Sequence, residues 1–376
     1  MAGRTGRKSN GEGNVRQRAN GLWEARIILE GGKSKSYYGA TKAEALKKLR
    51  TALNARDRGL PVLMDERQTL GHYLPSWLES KKRLEPSTRI RYRIFVERTL
   101  IPELGRVQLA KLTPQHLQRL YAKKLDDGWS PTTVNHLHTV LHGALEQAVR
   151  WGLIARNVSD LVDAPRIQRK EMRFWTPEQA RTFLAAVAGD RLEALFRLAL
   201  DTGMREGELF GLRWRDVDIE GGALYVQTAL KVQEEGGRAL GRPKTEYSRR
   251  KIEFGEGTAD ALRAHRKRQN EERLALGAAW VDHDIVFANT LGGGLAPNNM
   301  TRRHFLPAIK RAGVPIIRPH DMRHTAATLM LLGGVPVKVV SERLGHASPD
   351  ITLRLYAHVL PGMQKDAAAV MDRLLG

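Results

Sequence analysis

The sequence predicts a multidomain, mainly α chain with small β-sheets. Three observations carry this. Its 376 residues exceed one ordinary hydrophobic core and suit two or three domains. Period-two strand signals crowd into the first forty residues, whereas most of the later chain is capped and helically periodic. Two stretches, 59–66 and the polar, basic 163–173, interrupt the periodic segments and read as linkers. The expected division is 1–60, a three-stranded sheet plus a helix; 65–160, an all-α domain; and 172–376, a mixed α+β domain.

In the first domain, residues 1–11 are rich in Gly, Arg, Lys, Ser and Asn and read as a flexible basic arm. A short strand is expected at 14–17. A second, at 22–29, puts Trp23, Ala25, Ile27 and Leu29 on one face. Gly31-Gly32 makes a hairpin turn and 33–38 returns. Thr41-Lys42-Ala43-Glu44 is a capping box, and the helix it opens runs to about Arg58 with Ala45, Leu46, Leu49 and Leu53 inward. Residues 1–60 hold 14 Lys/Arg against 5 Asp/Glu, a surplus of nine positive charges. A sheet of this size can lie in a major groove. Arg16, Arg18, Arg26, Lys33 and Lys35 are then the candidate DNA contacts, the bland alternative being charges on a solvated sheet face. Trp23 reads as core.

The second domain is expected to hold four helices. Thr69 caps the first, with Leu70, Tyr73, Leu74, Trp77 and Leu78 on one side and Pro75 inside the run, where it can bend or split it. Ser87 opens the second, Thr113-Pro114 the third and Ser130-Pro131 the fourth. Arg89, Arg91, Arg93, Lys123 and Lys124 could contact phosphates or face solvent. His138 and His142 are four apart on the fourth helix, but no carboxylate sits at a matching spacing, so no metal site is expected. The third domain opens on Thr176-Pro177-Glu178-Gln179, another capping box. Helices at 177–187 and 191–201 come next, then strands at 223–231 and 249–254 broken by a glycine loop. Helix returns at 258–276 and 298–312. The tail carries Ala368, Met371, Leu374 and Leu375 as an apolar stripe.

Lys and Arg number 62 against 41 acidic residues, a formal charge of +21. That surplus favours a polyanionic partner, nucleic acid before membrane. The absence of cysteine excludes disulfides and thiolate metal sites and fits a reducing, cytoplasmic compartment. No apolar run approaches the ~18 residues of a membrane span, and no signal-peptide core is visible.

The chemistry-bearing residues concentrate late. Residues 317–359 hold His320 and Arg323 in H-x-x-R spacing, then His346, then Tyr356 ten residues on. Upstream lie Arg205, in Thr202-Gly203-Met204-Arg205-Glu206-Gly207-Glu208-Leu209, and Lys244, in a basic run between two strand-like segments. Arg205, Lys244, His320, Arg323, His346 and Tyr356, in that order, resemble the tyrosine recombinases, the family of phage integrases and chromosome-dimer resolvases. The resemblance covers roughly residues 65–376, and the first sixty residues look like the arm-binding domain of many integrases. It implies an all-α core-binding domain, a mixed α+β tyrosine-recombinase catalytic domain, and a site-specific DNA recombinase that cleaves and rejoins strands through a covalent 3′-phosphotyrosine, integrating or excising a mobile element.

The residue types suit that reaction. A phosphodiester repels nucleophiles and has a poor leaving group, so fixed cations and proton donors must substitute for a metal. Arg205 and Arg323 can pair with phosphate oxygens and cannot lose their charge. The resemblance makes Tyr356 the nucleophile, His320 its proton acceptor, His346 a phosphate hydrogen-bond donor and Lys244, on a hairpin tip, the acid for the departing 5′ oxygen. Arg242 and Lys251 are close enough to compete for that last role. Glu208 can hold Arg205. No metal, ATP or other cofactor is implied, and no P-loop pattern occurs. The implied partners are double-stranded DNA at arm and core attachment sites, three further copies in a homotetramer, and a host bending protein or excisionase, near the bacterial nucleoid. Open alternatives are a transposase of the same chemistry, a type IB topoisomerase-like enzyme and a catalytically inactive DNA-binding protein.

Overall fold

A computed structural model describes residues 14–28, 34–57, 67–167, 172–234, 236–243, 246–356 and 363–375. The chain divides into two compact units, Met1–Arg169 and Lys170–Gly376. The first unit contains two separate hydrophobic cores.

The smaller core lies under an antiparallel sheet of order β1-β2-β3, with β1 at Asn14–Gln17, β2 at Trp23–Ile28 and β3 at Ser34–Gly39. Helix α1, Lys42–Asp57, covers one face. Its Ala45 and Leu49 meet Ala25 and Ile27, with Trp23 partly buried at the margin. The expected Gly31-Gly32 turn lies outside the described residues. On the polar face Glu24 is buried beneath Arg16 and Arg18, at 2.9 and 3.0 Å. Hydrogen bonds from Ser36, Arg18 and Arg16 hold its carboxyl down at about 2.

The larger core is built by α2 (Leu70–Ser80), α3 (Pro86–Phe95), α4 (Ile101–Leu104), α5 (Pro114–Asp126) and α6 (Pro131–Arg150). Thr69 caps α2 by accepting the His72 N–H. Pro75 neither splits nor ends that helix. Two expectations change. Helix α3 begins at Pro86 with Glu85 as N-cap, not at Ser87, because proline at the first helical position needs no N–H partner. It also runs through a π-helical turn, Val96–Leu100, into α4. Tyr73, Trp77, Leu117, Tyr121, Leu137, Leu141 and Leu145 interlock, and each such fully buried side chain contributes on the order of 1.5–3 kcal/mol. His138 meets the Tyr121 hydroxyl at 3.0 Å, and His142 meets Asp160 at 3.0 Å. That carboxylate is supplied by tertiary structure, which helix spacing could not reveal. Among the described residues no three-ligand metal cluster forms.

In the second unit α7 (Pro177–Ala186) has the expected Thr176–Gln179 box and packs beside α8 (Glu193–Thr202). Short α9 (Glu206–Phe210) comes after it. The β region differs from expectation. Strands β4 (Val217–Asp218), β5 (Ala223–Tyr225) and β8 (Lys251–Glu253) form one sheet, while β6 (Ala229–Val232) and β7 (Arg238–Gly241) form a separate hairpin. The single strand expected over 223–231 is therefore two, and part of the expected loop is β7. Lys244 comes after β7 in the chain instead of capping the hairpin turn, and its own placement lies outside the described residues. Then come α10 (Glu256–Leu276), α11 (Pro297–Met300), α12 (Leu306–Ala312), α13 (Asp321–Leu332), α14 (Val337–Leu344), α15 (Pro349–Tyr356) and α16 (Met363–Leu375). Trp175, Phe183, Phe196 and Phe305 form the aromatic centre of the main core. A smaller cluster, Ala327, Leu331, Val340, Leu344 and Tyr356, joins α13, α14 and α15. On α16, Met371, Leu374 and Leu375 are exposed.

Candidate active site

The site is assembled where the ends of α8, α13, α14 and α15 meet. Helix α8 stops because Gly203 takes a left-handed turn at φ 62°. A Cβ there would stand 2.5 Å from Leu344, so the glycine also lets α14 approach. Its carbonyl accepts from Arg323 Nη1 at 2.7 Å. Arg323 is buried on the first turn of α13, and Arg205 comes two residues after Gly203.

Arg205 is held from three directions. Its Nη1 donates to Glu208 Oε1 at 2.8 Å and to Ser248 Oγ at 3.3 Å, and its Nη2 donates to the Gly345 carbonyl at 2.7 Å. Glu208 is 2 % exposed and also pairs with Arg250 at 3.1 Å. Arg250 in turn donates to the carbonyls of Arg343 and Ser248. Burial alone would raise the Glu208 pKa; Arg250 and Arg205 overcome it and hold the group ionised below the usual carboxylate range. Two guanidinium groups thus pair with one buried carboxylate, and a third, Arg323, lies close enough to feel its charge. Burial, then the Arg205 charge, pushes Arg323 down to about 9, which still leaves it cationic at neutral pH. The surplus charge is suited to an anion, and a phosphoryl group fits both the charge and the donor geometry.

Gly345, left-handed at φ 67°, ends α14 and turns the chain into His346. His346 Nδ1 bonds Thr352 Oγ1 at 2.8 Å, which leaves its other nitrogen available. Burial, then Arg323 and Arg205, pushes its pKa down to about 4, so it is neutral at physiological pH. His320 is the N-cap of α13 and is exposed. Its pKa is lowered, first by burial and then by Arg323.

Tyr356 ends α15 and is 1 % exposed. Its hydroxyl meets His324 Nδ1 at 2.7 Å. The expected partner was His320, but the imidazole in contact is one helical turn further along α13. The His320 and His324 rings are perpendicular, with centroids 5.2 Å apart. Sequence reasoning passed over His324. The available signal was its i+4 relation to His320, which puts both imidazoles on one helix face. Burial raises the Tyr356 hydroxyl to about 12, against the opposing pull of Arg323.

Of the six residues in the sequence pattern, Arg205, Arg323, His320, His346 and Tyr356 are therefore brought to one place, and Lys244 lies outside the described residues. Arg16, Arg18 and Arg26 belong to the other unit. The first two are engaged with Glu24, and Arg26 bonds Ser34. Lys35 stands opposite Ile27 in register; its side chain, and all of Lys33, lie outside the described residues. Lys123 and Lys124 both bond Glu103 at 2.8 Å.

The pattern of the Phage integrase family matches residues 173–362, and that of the phage integrase N-terminal SAM-like domain matches 69–125. A tyrosine recombinase XerC-like protein of Caldanaerobacter subterraneus is 33% identical over 363 residues, covering 90% of this chain and 92% of that one. Among solved structures, the Tn1549 transposon integrase in complex with transposon right end DNA superposes with a TM-score of 0.68 at 22% identity, over 82% of this chain and 100% of that one. A lambda integrase tetramer bound to a Holliday junction superposes with a TM-score of 0.56 at 19% identity, over 93% and 96%.

Proposed function

The chain belongs to the phage integrase family of tyrosine recombinases, and from that membership we propose how its residues carry out site-specific DNA strand transfer. The reaction class is that of the family: a DNA strand is cut and rejoined, recombining a mobile element. Arg205 and Arg323 clamp the scissile phosphate and neutralise the charge that builds on it. Tyr356 attacks phosphorus to give the 3′-phosphotyrosine. His346 donates to a phosphate oxygen, and Lys244 protonates the leaving 5′ oxygen. The phosphotyrosine conserves the energy of the broken bond, so a second 5′ hydroxyl can rejoin the strand without ATP.

The observation that carries this reading is that Tyr356, Arg205 and Arg323 converge within one chain, with Arg205 and Arg250 sharing the buried Glu208 carboxylate. The proposed division of labour is an arm-binding domain at 1–60, a core-binding domain at 65–160 and a catalytic domain at 172–376. Arg16, Arg18, Arg26, Lys33 and Lys35 meet arm-site DNA. Four copies act on two duplexes, as in the lambda integrase tetramer on a Holliday junction, with a host bending protein or excisionase setting direction. No helix among the described residues is long and apolar enough to cross a membrane, and the proposed place of action is the bacterial nucleoid.

The test is Tyr356→Phe on a nicked suicide substrate. Removing one oxygen should abolish the covalent adduct and leave DNA affinity nearly intact. An adduct formed by this variant, or mapped to the exposed Tyr247, would overturn the assignment.

A further inference from the structure

Resting on the reading of Tyr356 as nucleophile, we propose that His324 is the group that takes the Tyr356 proton during attack, and returns it during rejoining. The geometry is direct. His324 Nδ1 lies 2.7 Å from the phenol oxygen, within the range for proton transfer. Among the described residues it is the hydroxyl's one hydrogen-bond partner. A phenol must donate its own hydrogen somewhere when buried. This requires the lone pair of His324 at Nδ1 and its hydrogen at Nε2. Among the described residues His320 makes no hydrogen bond with the hydroxyl; its ring stands beside that of His324, centroids 5.2 Å apart.

The step balances. As the Tyr356 oxygen bonds to phosphorus, its proton passes to Nδ1 and His324 becomes an imidazolium. The bond from phosphorus to the 5′ oxygen breaks, and that oxygen takes a proton from Lys244, the proposed acid. In rejoining, the 5′ hydroxyl attacks and gives its proton to that now-neutral amine. The Tyr–O–P bond breaks, and the imidazolium restores the phenol.

The resting state supports this order of events. Burial, and then His320, holds His324 near 4, while burial holds the phenol near 12. The proton therefore stays on the tyrosine until phosphorus binds the oxygen. A phosphoryl group held by Arg205 and Arg323 gains negative charge in that transition state, and this charge stabilises the imidazolium beside it. The pairing thus confines nucleophile activation to the moment when a phosphate is clamped.

The experiment measures adduct formation by the full chain on a nicked suicide substrate, with the unaltered protein as control. His324→Asn keeps a polar acceptor near the Nδ1 position but cannot take up a proton. It should slow adduct formation by ~10²–10⁴-fold, the range for a positioned acid–base group, with DNA affinity unchanged. Difluorotyrosine at position 356 ionises far more readily than tyrosine. It should restore most of the lost rate to His324→Asn, and should restore none to Arg205→Ala. An unchanged rate in His324→Asn overturns the proposal. So does failure of difluorotyrosine to rescue a variant that binds DNA normally, since His324 would then only position the ring. Should His324→Asn fail to fold, His324→Gln provides the same comparison with a different reach. An unaltered protein that forms its adduct at another residue would instead refute the reading of Tyr356.

Discussion

On one side of the site, Arg205, Glu208 and Arg250 are tied to one another and to three backbone carbonyls. On the other, the ring of Tyr356 is packed among α13, α14 and α15, but among the described residues its hydroxyl has one hydrogen-bond partner, His324. On the proposed function, the contrast reflects the two tasks. A charge clamp is useful only if its donors already point where charge will develop, so each guanidinium is fixed by several partners. A nucleophile must first bond to phosphorus and later let go, and its attachment must break and re-form at each turnover. Rigidity is therefore spent on the cations, and the phenol is held by a contact that chemistry can undo.

The largest effect should come from breaking the fixed side. Glu208→Gln leaves Arg205 and Arg250 without their shared counter-charge, and removing one partner of a buried pair costs about 3–5 kcal/mol. Urea unfolding measures it. If stability barely falls, the arginines are held by their carbonyl partners and the carboxylate is dispensable.

A middle effect is expected at the joint between the two sides. Gly203→Ala places a Cβ 2.5 Å from Leu344 on a left-handed backbone, and such overpacking costs about 1–3 kcal/mol. The same change moves the carbonyl that holds Arg323, so cleavage should drop along with the melting temperature. A normal cleavage rate in a destabilised variant would separate packing from clamp geometry.

The third effect belongs to the other side and is spread over a pH range instead of appearing at one condition. His324 and His346 stand near 4 when folded, below the ordinary imidazole value of 6.5. The unfolded chain therefore binds more protons between pH 6.5 and 4. Stability should be complete above 6.5, fall as pH drops through that window, and level off below 4. His324→Asn should flatten part of this slope. An identical slope in the variant would place the responsible groups elsewhere.

What the sequence made legible was local or ordered along the chain. The Thr176–Gln179 box and the Pro114 and Pro131 helix starts are local stereochemistry, visible in three or four residues. The order of Arg205, His320, Arg323, His346 and Tyr356 made a candidate site legible because it follows the family's pattern, and the fold brings these five side chains together. Tertiary partners stayed hidden. His324 acquires meaning only when α15 packs on α13, and Asp160 only when it folds back onto α6. Strand β7 is Arg-Ala-Leu-Gly, without the branched and aromatic residues that mark strands, so it read as loop. The π-helical turn before α4 has no periodic signature of its own.

Four of the anchors around the site are main-chain oxygens: Gly203 for Arg323, Gly345 for Arg205, and Arg343 and Ser248 for Arg250. A carbonyl is supplied by every residue type, so the two attachments of Arg250 do not depend on which side chain supplies the oxygen, whereas the left-handed turns at Gly203 and Gly345 do require glycine. Mutation can rewrite residue 343 without deleting its acceptor, provided the turn keeps its course, while at residue 248 the main-chain acceptor would persist and only the Ser248 hydroxyl met by Arg205 would be lost. The clamp's heritable part is thus a path of backbone more than a set of letters.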